Sequence, residues 1–119
     1  TFFNRYVIDE SYGGLAFEDE GERCAALLTD PKKKVMIMGN HGIMIIGETV
    51  AETFNRLYFF ERAAETYIRA LQTGQALRVL SDDIAEKTAQ ELDAYPEQAT
   101  RHLAELREIL DGEGSNYAT

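Results

Sequence analysis

The stretch Val35-Met36-Ile37-Met38-Gly39-Asn40-His41-Gly42-Ile43-Met44-Ile45-Ile46-Gly47 decides how this chain is read. Two short apolar runs bounded by glycine predict buried strands, because β-branched Val and Ile fill a pleated surface and the glycines punctuate it. Asn40-His41-Gly42 between them predicts a tight turn, with His41 at a strand end. Ligands of α/β sheets gather at strand ends, and imidazole is the commonest protein ligand for metals. One histidine does not make a site, since a catalytic zinc takes three protein ligands and keeps a position open. Two readings of His41 therefore stand side by side: a metal ligand, or a turn residue whose ring hydrogen-bonds a nearby carbonyl.

Outward from the turn, Arg5-Tyr6-Val7-Ile8-Asp9 reads as a strand and Tyr12-Gly13-Gly14 as a turn. Glu18 to Leu28 reads as a short helix with Cys24, Ala25, Leu27 and Leu28 toward one side and acids in its first turn, where the helix dipole favours them. Asp30-Pro31 stops it. On the other side, Thr49 and Glu52 have the spacing of a capping box opening the longest helix of the chain. Val50, Phe54, Leu57, Tyr58, Tyr67, Ile68 and Leu71 recur at helical steps, and Gly74 is the expected C-cap. That is about 24 residues, or roughly 36 Å at 1.5 Å per residue. Tyr58-Phe59-Phe60 covers more than one face, which predicts burial on two sides, against the chain's own core or against another subunit.

Beyond Gly74 the composition changes. Leu77, Val79 and Leu80 suit an extended connector, and Ser81 ahead of Asp82 and Asp83 suits a helix start. Ile84, Ala85, Thr88, Ala89 and Leu92 form its stripe. Pro96 suits the start of a last helix, with Ala99, Leu103, Leu106, Ile109 and Leu110 at three- and four-residue steps. His102 falls off that stripe beside Arg101 and is read as solvated. The polar, glycine-rich tail 111–119 reads as a frayed end.

Composition narrows the class. With 45% hydrophobic and 28% charged residues the chain is of ordinary globular type, neither disordered nor fibrous. Twenty-one acidic against twelve basic residues give a formal charge of −9, which opposes binding to nucleic acid or to anionic membranes. Lys32-Lys33-Lys34 is the sole basic cluster and reads as a loop that guards a strand edge. Cys24 stands alone, so no intrachain disulfide forms, and a reducing cytoplasm is the expected compartment. No run of eighteen apolar residues is present to span a membrane as a helix.

Gly39-Asn40-His41-Gly42-Ile43, then Gly47-Glu48-Thr49-Val50-Ala51-Glu52-Thr53-Phe54, then Phe60-Glu61-Arg62-Ala63-Ala64-Glu65 resemble the later half of the class II aldolase/adducin domain. Tyr12-Gly13-Gly14-Leu15 is similar to that family's Asp-Tyr-x-Gly segment. The likeness covers about residues 5 to 74. It implies an α/β fold, an α/β/α layered sandwich with a mixed, largely antiparallel sheet flanked by helices, here incomplete. Residues 1–74 would be the C-terminal half of the domain and 75–119 its helical extension, with the N-terminal half elsewhere.

The resemblance also implies chemistry. In the family's enzymes the histidine of this turn, here His41, is the third ligand of a divalent metal, most often zinc. The other two ligands form a His-x-His pair upstream, preceded by a catalytic acid, and this chain has neither. The implied activity is that of a metal-dependent lyase or epimerase acting on a small hydroxy-carbonyl compound, phosphorylated sugars included, through a metal-stabilised enediolate. The 119 residues alone are expected to be inactive. A homo-oligomer is implied, a tetramer first, and Tyr117 is the candidate in the tail for a proton donor to a neighbouring subunit's site, although the tail carries no motif of the family. The alternative is a non-catalytic, adducin-like protein-interaction module. Leu77-Arg78-Val79-Leu80-Ser81-Asp82 looks more like bacterial stand-alone members than like adducins.

Overall fold

The computed structural model describes residues 1–12 and 18–118. Gly13, Gly14 and Leu15, the second half of the expected turn and of the Tyr12-Gly13-Gly14-Leu15 likeness, lie outside the described residues. The chain forms two compact units, Thr1–Gly47 with Leu80–Ala89, and Glu48–Val79 with Gln90–Thr119.

The first unit is built on a three-stranded sheet of β1 (Tyr6–Asp9), β2 (Val35–Met38) and β3 (Gly42–Ile45) in that spatial order. β1 and β2 run parallel, so the chain must cross over between them, and α1 (Glu18–Leu27) lies in that crossover and packs on β1. β2 and β3 are antiparallel, with Met38 opposite Gly42 and Val35 opposite Ile45. The sheet is therefore mixed, with one parallel and one antiparallel pairing, as the incomplete α/β fold implied.

Pleating places Val7, Asp9, Met36, Met38 and Met44 on one face and Tyr6, Ile8, Val35, Ile37, Ile43 and Ile45 on the other. β2 is the middle strand, and both Val35 and Met36 are fully buried, which explains why it reads as an unbroken apolar run rather than an alternation. Tyr6 and Ile8 on the edge strand β1 stay exposed. α3 (Asp82–Asp93) contributes its stretch up to Ala89 to this unit. There Glu86 takes two hydrogen bonds from Nη1 of the buried Arg5, at 2.9 and 3.1 Å. Lys33, from the basic cluster, donates to Asn4 Oδ1 at 2.7 Å and so ties the loop before β2 to the segment before β1.

In the second unit α2 (Val50–Gln72) packs on α4 (Glu97–Gly112). Thr49 caps α2, its Oγ1 accepting from the Glu52 N–H at 3.1 Å, while the Glu52 carboxylate reaches back to the Glu48 N–H at 3.0 Å. The reciprocal bond thus lands one residue earlier than in the standard capping box. The C-cap is Thr73, and Gly74, the expected cap, follows one residue later at φ 68°.

One expectation is corrected here. His102 is not solvated: its Nδ1 lies 2.8 Å from Asn55 Oδ1, and its ring sits 4.7 to 6.0 Å from those of Tyr58, Phe54 and Phe59. The periodicity of α4 alone located its own apolar stripe, but α2 offers an aromatic wall that receives a polar-tipped ring equally well. Within this chain alone α2 is not covered on two sides. None of its residues is fully buried, and Leu57, Tyr58 and Phe59 remain more than a third exposed. Among the described residues no helix is long and apolar enough to cross a membrane.

Candidate functional site

The loop between β2 and β3 consists of Gly39, Asn40 and His41. Asn40 adopts the left-handed conformation at φ 57°, which Asn tolerates better than other side-chain-bearing residues. Gly42, at φ 149°, holds a conformation that a Cβ would strain, although nothing lies within 4 Å to clash with one. Gly39 is favoured for a different reason. Its N–H donates to Asp9 O at 2.9 Å, and a Cβ there would meet that oxygen at 3.3 Å and Glu10 O at 3.4 Å.

This backbone holds His41 at the surface. The residue is exposed, and its main-chain N–H closes the turn on Met38 O at 3.2 Å. The imidazole itself packs against Tyr12, with ring centroids 4.7 Å apart and planes tilted by 43°. Among the described residues no hydrogen bond reaches its nitrogens. The carbonyl bond of the turn belongs to the main chain, so the ring is left able to ligate. As one donor of a set, it fits a divalent cation.

Beside the turn sits a charged cluster that sequence reading missed. Asp9 is 3% exposed, and its Oδ1 accepts from Arg23 Nη1 at 2.6 Å and from the Ser11 N–H at 3.1 Å. Arg23 also grips Glu20 through both carboxylate oxygens, with Nε at 3.3 Å from Oε2 and Nη2 on Oε1. The hydrogen bond from Arg23 holds the Asp9 carboxyl below its ordinary range, aided by Ser11 and opposed by burial. The same two carboxylates raise the pKa of Arg23 further.

Asp9, Glu20 and Cys24 bring potential donor atoms within 4.8 Å of one another, and among the described residues Asp9 Oδ2 is buried without a partner. A guanidinium already neutralises this group, so a metal there would compete with a bound cation; its chemistry is that of a structural clasp. No periodicity links residues 9, 20 and 23, and an acid ending a strand was the sole signal available.

The other residues considered for a role lie in the second unit. Tyr117, about half exposed, donates its hydroxyl to Asp111 Oδ1 at 3.0 Å, and that bond raises its pKa. Glu52 is engaged in capping and in an ion pair with Arg56 at 3.3 Å. A shallow groove on α2 is lined by Phe54, Leu57, Tyr58, Glu61, Arg62 and Glu65 and shares no residue with the turn.

The model of the Class II Aldolase and Adducin N-terminal domain matches residues 2–68, more than half of the chain. The chain belongs to this family. The matched span runs from β1 into α2 and contains Asp9, Tyr12, Arg23 and His41. The chain is 30% identical over 107 residues to Protein hu-li tai shao of Drosophila melanogaster, covering 89% of this chain and 9% of that protein. It is 34% identical over 76 residues to a Putative aldolase class 2 protein of Caulobacter vibrioides, covering 63% of this chain and 29% of that one. It is 33% identical over 65 residues to Alpha-adducin of Rattus norvegicus, covering 55% and 9%. The chain thus spans less than a third of the length of each. No solved structure matches it. These 119 residues are an aldolase-like or adducin-like module.

Proposed function

We propose that His41 is one ligand of a divalent cation, most often zinc, in a class II aldolase-type lyase or epimerase acting on a small hydroxy-carbonyl compound, phosphorylated sugars included. The observation that carries this reading is an exposed imidazole whose nitrogens take no hydrogen bond among the described residues, on a backbone-determined turn inside the stretch that the family model matches. When bound, a divalent cation polarises a substrate oxygen and stabilises the negative charge that develops as a bond to carbon breaks.

The chain's own residues supply position. Asn40, Gly42 and Gly39 set the turn, and His41 presents a nitrogen. The remaining ligands and the catalytic base come from outside these residues, with 1–74 forming the C-terminal half of the domain and 75–119 its extension. His102, the second histidine, is committed to Asn55. Tyr117 serves as proton donor across a subunit boundary in a homo-oligomer, a tetramer in the first instance; its bond to Asp111 would have to open for that role. A free, buried Cys24 accords with a cytoplasmic protein.

A second reading is favoured by the likeness to Alpha-adducin over 55% of the chain. In it the module is a non-catalytic interaction domain that keeps the turn. Elemental analysis of the intact protein separates the two. Stoichiometric metal that disappears in His41→Ala supports the lyase, whereas metal-free wild-type protein supports the interaction module.

A further inference from the structure

We infer that Tyr12 is a positioning residue that holds the His41 imidazole in its ligating orientation, and that the Arg23–Asp9 clasp holds Tyr12 in place. This rests on the reading of His41 as a metal ligand.

An imidazole on an exposed loop turns freely about two side-chain bonds, and binding a cation must freeze both. A ring held beforehand binds more tightly, because that ordering cost is already met. Metal-bound histidines are commonly oriented by a hydrogen bond to the ring nitrogen that faces away from the metal. Among the described residues His41 has no such bond. What it has is the ring of Tyr12 at 4.7 Å, within the range at which aromatic pairs attract.

Tyr12 is placed by Asp9, which reaches both sides of the contact. Its side chain accepts from the Ser11 N–H at 3.1 Å, an Asx-type turn that redirects the chain just before Tyr12. Its main-chain oxygen accepts from the Gly39 N–H at 2.9 Å, at the start of the loop that carries His41. Arg23 fastens the same carboxylate to α1 at 2.6 Å. A single buried residue thereby couples the segment bearing Tyr12 to the loop bearing His41, and the absence of a side chain at Gly39 permits the close approach.

The hydroxyl of Tyr12 has no part in this, so the ring alone should suffice. The test is Co2+ binding by the intact protein, followed by competition with a chromophoric chelator and by the visible spectrum of bound Co2+. Wild type is compared with Tyr12→Phe, Tyr12→Ala, Tyr12→Leu and His41→Ala. Tyr12→Phe should match wild type, while Tyr12→Ala should bind about 10- to 100-fold more weakly, the usual cost of losing an outer partner of a ligand, with an altered spectrum. Tyr12→Leu keeps apolar bulk should the alanine variant not fold, and should weaken binding in the same direction.

In the metal-free protein the His41 ring protons should shift in NMR spectra of Tyr12→Leu and stay put in Tyr12→Phe. Tyr12→Ala and Tyr12→Leu binding Co2+ within twofold of wild type, with His41→Ala impaired, overturns the positioning role and leaves the metal reading intact. Unimpaired binding in His41→Ala, or none in wild type, overturns the metal reading and this inference with it.

Discussion

Asp9 ends a strand, is almost wholly buried and receives a guanidinium on one oxygen. Arg23 depresses its pKa below the ordinary 3.8. A depressed carboxylate contributes stability that is fully present above its unfolded-state pKa and is lost as pH falls through the lower folded-state value. The stability of the wild type measured by urea unfolding should therefore fall as pH drops below about 4, and Asp9→Asn should show a flatter acid limb. Equal acid limbs would assign the titration to another group. His41 behaves differently. Its place on a turn could be read directly, since Asn and Gly announce the backbone, but its contact with Tyr12 could not, because 29 positions separate the two and no spacing rule connects them.

Helix α2 shows what local code accomplishes. Thr49, the acid at Glu52 and Gly74 set its limits within a residue or two of those expected, and ion pairs Glu52–Arg56 and Glu65–Arg69 lie along it at four-residue steps. Losing the cap should cost about 1 kcal/mol. Thr49→Ala is accordingly expected to lower the chemical-denaturation midpoint and to leave the fold of the remainder intact; an unchanged midpoint would mean that the bond seen at 3.1 Å contributes nothing. Helix α4 shows the limit of such code. Its stripe was visible, yet the partner that takes up His102 is a set of aromatic rings on α2, more than forty residues earlier in the chain. The second face of these rings, expected to meet the chain's own core or another subunit, is not covered within this chain.

A formal charge of −9 sits on a chain that also exposes Leu57, Tyr58, Tyr67, Ile68, Leu71, Val79 and Leu80. Charge repulsion acts over about 10 Å in 0.1 M salt, whereas apolar attraction is not screened. Raising NaCl from about 0.05 to about 0.5 M shortens the screening length severalfold. The mean mass measured by sedimentation equilibrium should rise across that range, and a mass independent of salt would show that the apolar surface does not associate. Periodicity, caps and turn residues were sufficient to place every strand and helix, because each depends on neighbours a few positions away. Membership in the class II aldolase and adducin family was legible from the Asn-His-Gly turn and the helix start behind it. The Asp9–Arg23–Glu20 clasp, the stacking of Tyr12 on His41 and the seat of His102 required the folded molecule. Each depends on side chains that come together only when distant segments pack, and the energy of such packing leaves no regular mark along the chain.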